Sequence, residues 1–218
     1  MNQVARVRFY PPAEERINVA SHALGLVLSP IALFFLVQRA IDHGTVIAIA
    51  SFAIFGASII TLYAASTVYH STREPSARMR MRVVDHASIY VLIAGSYTPF
   101  LLITLEGTLG WIFFSAVWTM AAVGITVKLF FTGHYNLLST LMYVFMGWLV
   151  IFAIKPLTEN LEPNGLSWLL AGGISYTVGA IIYSIKRIHF NHAIFHLFVL
   201  TGTICHFICI YFYVLPAN

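Results

Sequence analysis

The sequence predicts an all-α, polytopic membrane protein: a seven-transmembrane-helix bundle with its N-terminus in the cytoplasm and its C-terminus outside. Three observations carry that expectation. The chain is 59% hydrophobic and only 9% charged, with a mean hydropathy of +0.83. A soluble domain carries about 25% charged residues, so a chain this poor in charge cannot cover its own surface in water and needs lipid as its solvent. The apolar residues fall into seven separate runs, each close to the roughly 20 residues that cross a bilayer as a helix. Lys and Arg alternate across the gaps with a strong bias to one side.

The first run, Ile17–Gln38, follows a polar and charged stretch and has no evident cleavage site of small residues, so it is expected to remain as a helix. Val46–Tyr69 follows the break Arg39-Ala-Ile-Asp-His-Gly44, and Val83–Ile103 follows the charged stretch Ser71 to Arg82. Leu109–Val127 begins after Glu106-Gly107, and Leu137–Ile154 after Thr132-Gly-His-Tyr-Asn136. Leu166–Ile185 follows a loop expected from Lys155-Pro156 to Gly165, and Phe190–Leu215 follows Lys186-Arg-Ile-His189. Pro30 and Pro99 should bend the first and third helices, with neighbouring helices satisfying the freed carbonyls. Gly172, Gly173 and Gly179 should allow close helix packing. Cys205 and Cys209, four apart on one helix, are poorly placed for a disulfide and read as small packing residues. Seven spans leave only short loops in 218 residues, so residues 1–218 read as a single membrane domain.

Orientation follows from the basic residues. Arg6, Arg8, Arg16, Arg73, Arg78, Arg80, Arg82, Lys128, Lys186 and Arg187 fall on one side, and only Arg39 and Lys155 on the other. Ten against two places the first side in the cytoplasm. The net charge of +4 then reflects membrane orientation and gives no basis for nucleic-acid binding.

That topology brings ionisable residues from distant segments to one level. His70 ends the second segment at the cytoplasmic side, and His192 and His196 open the seventh there. Asp85 lies about one turn into the third. In His192-Ala-Ile-Phe-His196, four residues advance a helix by about 400° and about 6 Å, so both rings share a face. Two such imidazoles can bind one metal ion, with His70 as a third ligand, and catalytic zinc commonly takes three protein ligands and a water. Ser66, one turn deeper than His70, is a candidate hydrogen-bonding partner for a water or a substrate carbonyl. Asp85 is a candidate to orient or deprotonate that water. Two blander readings stand beside this one: the histidines pack at the interface, and Asp85 pairs with Arg82 or Arg80. His206 lies about 21 Å along the axis from His192 and cannot share its metal. His43 and His134 fall in loops, His189 precedes the seventh helix, His86 points about 100° away from Asp85, and His22 lies near the site at the start of the first helix.

At these residues the sequence resembles the hemolysin III family, within the progestin and adipoQ receptor (PAQR) superfamily, and is similar to its bacterial inner-membrane members. The matching pieces are Glu15-Arg-Ile-Asn18-Val-Ala-Ser21-His22, Ser66-Thr-Val-Tyr-His70, Asp85-His86-Ala-Ser-Ile-Tyr90, Ala94-Gly-Ser-Tyr-Thr-Pro-Phe100, Met146-Gly-Trp148 and Asn191-His192-Ala-Ile-Phe-His196. They run in order over nearly the whole chain. The resemblance implies a seven-helix fold with a zinc site near the cytoplasmic face, with His70, His192 and His196 as ligands. Asp85 and Ser66 would match the acidic and hydroxyl positions of related alkaline ceramidases.

The function expected is that of a zinc-dependent hydrolase acting on a lipid amide or ester, or of a membrane-homeostasis protein using that chemistry. Its expected place is a bacterial inner membrane, with a membrane lipid as substrate or ligand. The alternatives are a zinc-stabilised sensor or lipid-binding protein without turnover, and a pore-former. A pore would want a polar stripe through the full membrane depth, whereas here the ionisable residues gather at one level. A retinal protein would need a mid-membrane lysine in the last helix, and that helix has none.

Overall fold

The computed structural model describes residues 7–42, 44–131 and 136–215, so His43, His134, Arg6 and most of the Thr132–Asn136 break lie outside it. The described residues form eight α-helices and no strand: α1 (Pro12–Asp42), α2 (Val46–Ser71), α3 (Pro75–Pro99), α4 (Gly107–Phe131), α5 (Asn136–Gly147), α6 (Ile154–Asn160), α7 (Pro163–Ser184) and α8 (Asn191–Cys209). Together they make seven spans long and apolar enough to cross a membrane, with α5 and α6 sharing the fifth, Leu138–Asn160. Consecutive helices α1 to α4 pack side by side, α5 bridges α3, α4 and α7, and α7 pairs with α8. α8 returns against α1, which closes the ring. Large apolar side chains such as Val27, Val46, Phe130 and Phe152 project outward, more than 60% exposed, as a lipid-facing surface requires.

Helices overrun their apolar runs where polar residues supply good ends. α3 starts eight residues before Val83, at Pro75. Its fixed φ suits a first turn, and the preceding Glu74 accepts from the Ser76 and Ala77 amides at 2.8 and 2.6 Å. Those bonds hold the Glu74 carboxyl below its ordinary range. Asp85 therefore sits in the third turn of α3, where the apolar boundary at Val83 had placed it in the first. Arg78, counted from sequence among the loop charges, is instead only 1% exposed.

Pro99 ends the regular part of α3. A π-helical turn, Phe100–Thr104, continues it, and the Leu105 amide donates to the Phe100 carbonyl. Glu106 and Gly107 then take positive φ values of 41° and 58° to turn into α4. Pro30 lies within an uninterrupted α1. The fifth span departs most from expectation. It breaks at Trp148 into a 3₁₀ stretch, Leu149–Ala153, and then runs as α6 through Lys155 and Pro156, where a loop was expected. Pro156 is tolerated because it falls in the first turn of α6, where a missing N–H forfeits no helical bond. Close packing occurs at Gly172, against His206, and at Gly179, where an added Cβ would come 2.8 Å from Phe198. At Gly173 an added Cβ would make only an ordinary contact, 4.0 Å from the Trp148 ring. Cys205 and Cys209 are buried free thiols.

Candidate metal centre

Three helix ends build the site. His70 lies in the last turn of α2, and His192 and His196 in the first two turns of α8. All three are buried, and one ring nitrogen from each falls within 4.8 Å of the others. The His70 and His192 Nε2 atoms are 3.0 Å apart. Such a group could hold a metal ion.

The supports around these rings fix which nitrogen each presents. The Glu15 carboxylate can only accept, so the 2.7 Å contact to His70 Nδ1 places the proton there and leaves Nε2 to face the group. The Asn18 carbonyl accepts from His196 Nδ1 at 3.3 Å, with the same result. Both partners come from the first two turns of α1. Metal-binding histidines are commonly held in this way. Glu14, one residue earlier, accepts from the His192 backbone amide at 3.2 Å and so caps the start of α8 with a negative charge.

Arg78 locks this corner. Its Nη2 pairs with Glu15 Oε1, and its Nη1 donates to the carbonyls of Tyr69, His70 and Thr72, at 3.1, 3.3 and 2.9 Å. Its Nε donates to the Arg8 carbonyl at 2.9 Å, tying the segment before α1 to the end of α2. Tyr10 in that segment stacks on His192, with ring centres 4.5 Å apart and 19° between planes. Burial pushes the Tyr10 phenol well above its ordinary range, so it stays neutral. On the far side, Asn191 Nδ2 donates to the Tyr183 carbonyl at 2.8 Å, pinning the end of α7 to α8. Phe190 turns the corner in the left-handed region at φ 56°.

A family model described as Haemolysin-III related matches residues 11–207. This chain belongs to that family. It is 50% identical over 203 residues to Hemolysin-3 of Bacillus cereus, covering 93% of both chains. It is 48% identical over 200 residues to a Hemolysin-3 homolog of Bacillus subtilis (strain 168), covering 92% of this chain and 94% of that one. Monocyte to macrophage differentiation factor of Homo sapiens is 30% identical over 166 residues, covering 73% of this chain and 68% of its own.

The other candidate residues of this haemolysin-III related chain line one cavity of about 180 Å³ inside the ring of spans. Asp85 and Ser66 are both buried in its wall, which His192 and His196 also line. The Asp85 carboxyl faces His70 and the Ser66 hydroxyl, and it makes no ion pair with Arg80 or Arg82 among the described residues. Ser66 Oγ lies against that carboxyl without closing a hydrogen bond of good geometry. His22 stacks face to face on His196, with centres 3.5 Å apart and 8° between planes, and edge-on to Tyr63. It supports a neighbouring ring and is outside the three-histidine group. His206 also lines the cavity, but its Nε2 donates to the Leu169 carbonyl at 3.3 Å, far along α8 from the group. Sequence patterning did not single out Glu14, Glu15, Arg78 or Tyr10 as site residues. The available signal was an acidic pair opening the first segment, on a side otherwise dominated by basic residues.

Proposed function

We propose that the protein is a zinc-dependent hydrolase of a membrane-lipid amide or ester, working at the cytoplasmic face of a bacterial inner membrane in membrane homeostasis. The observation that carries this is the group of three buried imidazoles, two of which, His192 and His196, line a cavity whose wall also holds Asp85. The all-nitrogen donor set suits zinc, since magnesium and calcium favour oxygen. Zinc bonded at 2.0–2.1 Å to tetrahedral ligands sets its nitrogens about 3.3 Å apart. The observed 3.0 Å pair and the 4.8 Å limit for the group bracket that spacing. His70, His192 and His196 would hold the ion, which when bound would supply Lewis acidity to a carbonyl or a water.

The chain's own residues do the rest. Asp85 takes the proton of the attacking water and returns it to the leaving amine or alcohol. The Ser66 hydroxyl donates to the substrate carbonyl oxygen, where negative charge develops. The cavity continues past these groups between Leu92, Phe100, Leu101 and Val199, an apolar lining suited to an acyl chain and to excluding bulk water. The cytoplasmic placement rests on the ten-to-two distribution of basic residues, and the bacterial membrane on the two Bacillus relatives.

The test combines metal analysis of the purified protein with a hydrolysis screen over ceramides, acyl amides and phospholipids. Stoichiometric zinc with turnover, and an Asp85→Asn variant that keeps zinc but not turnover, is the expected outcome. A fully loaded wild type that cleaves none of these lipids would replace the hydrolase with a zinc-stabilised sensor or lipid-binding protein.

A further inference from the structure

Apart from the three histidines, α3, α4 and α5 bring a second polar group to the same end of the bundle. Arg82 and His86 lie one turn apart on α3, Lys128 is in the last turn of α4, and Ser139 and Tyr143 lie in the first turns of α5. His86, Lys128, Ser139 and Tyr143 line the cavity. Lys128 is buried, with its ammonium 5.9 Å from the centre of the Tyr143 ring. Arg82 stands close enough to Lys128 and to His86 to act on both electrostatically. Two like charges thus adjoin in a region of reduced dielectric, where repulsion is stronger than in water.

Among the described residues, no carboxylate pairs with Arg82. The ion pairs among the described residues both belong to Glu15, and Asp85 faces Ser66 and His70 instead. The Arg82 Nε and Nη2 atoms are buried and make no hydrogen bond among the described residues, and His86 Nδ1 is in the same condition. Nε–H and one Nη2–H of a guanidinium point the same way. They form the fork that takes two oxygens of a single oxyanion. The unsatisfied nitrogens therefore have the geometry of an oxyanion receptor beside a second cation. The apolar Leu129 and Phe130 next to Lys128 are more than half exposed on the outer surface, so a lipid chain can lie against the bundle beside Lys128.

We propose that Arg82, His86 and Lys128 form a site for a phosphate oxyanion, supplied by the headgroup of an anionic phospholipid. The site lies on α3 and α4, separate from the metal-binding histidines of α2 and α8, and needs neither metal nor turnover. Native mass spectrometry of the full-length protein in detergent, titrated with phosphatidylglycerol, phosphatidylcholine or inorganic phosphate, tests it. Phosphatidylglycerol should bind more tightly than phosphatidylcholine, and Arg82→Gln should weaken it about tenfold or more, as loss of charged hydrogen bonds does. Arg82→Lys keeps the charge but not the fork, and should recover only part of the affinity. Metal content measured on the same variants shows whether they remain folded. If inorganic phosphate binds as well and displaces the lipid, the oxyanion site stands and its lipid source is overturned. Equal phosphatidylglycerol affinity in wild type, Arg82→Gln and Lys128→Met overturns the site.

Discussion

Glu15 Oε2 lies 2.7 Å from His70 Nδ1, so a carboxylate on the first helix decides which nitrogen of a histidine on the second faces the three-histidine group. Replacing Glu15 by Gln keeps an acceptor in place but removes the charge that raises the ring's basicity. Metal affinity should fall roughly 10- to 100-fold while the fold persists. Chelator competition on the purified variant measures it, and unchanged affinity would confine Glu15 to packing. Arg78→Met should be far more harmful to stability, by about 3 kcal/mol or more, because it strands Glu15 and the three α2-end carbonyls. Thermal unfolding in detergent reads that loss.

Metal bound only by the folded state stabilises that state. His192→Ala or His196→Ala should therefore lose most of the bound metal, together with the rise in melting temperature that added zinc gives the wild type. Elemental analysis and a thermal-shift series check both. Two variants that retain full metal content would rule out these histidines as ligands.

Ser66→Ala removes one hydroxyl from the cavity wall without opening much space. Loss of a single donor to a developing oxyanion commonly slows turnover by about 100-fold. The expected result is a drop of that order in kcat with metal content unchanged. Undiminished turnover of a cleavable lipid would reduce Ser66 to a neighbour of Asp85.

Reporter fusions test the orientation. Insertions in the turn at Arg73 and after Lys186 should report the cytoplasm, and those after Glu106, Glu162 and Asn218 the outside. Asn218 lies beyond the described residues, and its predicted side follows from the number of spans alone. A cytoplasmic Asn218 would contradict the placement of the metal centre on the inner face.

Gly110→Ala probes the packing of α4 against the π-turn that ends α3. A Cβ at position 110 would run into the Leu101 carbonyl oxygen, and backbone cannot swing aside as a side chain can. The variant should be destabilised by about 1–3 kcal/mol, measured as a lower melting temperature. An unaltered melting temperature would mean that the α3–α4 turn yields easily.

The seven spans were legible because an uninterrupted apolar run of that length has few other solutions in water or lipid. The convergence of His70, His192, His196 and Asp85 followed from counting spans and alternating sides. Helix starts at Pro12 and Pro75 were not legible from hydropathy, which registers only the stretch bordered by lipid. For α3 the signal lay in the Glu74-Pro75 cap. Nothing in composition distinguishes the break at Trp148 from a continuous helix, since both sides of it are equally apolar. Arg78 read as a topological charge because its partner Glu15 is 63 residues away in sequence, and only the ring closure of α1 and α2 brings them together. The stack of His22 on His196 was hidden for the same reason: its two residues belong to opposite ends of the chain.

The closure of the ring by α8 also sets an order of assembly in the cell. The ribosome delivers α1 and α2 early, and with them Glu15, Arg78 once α3 follows, and His70, the first of the three grouped histidines. The other two histidines emerge only with the final span. A nascent chain arrested before α8 would thus enter the bilayer with His70 alone of the three-histidine group. Under the proposed function, metal capture would come last in biogenesis, as a seal on a bundle already inserted.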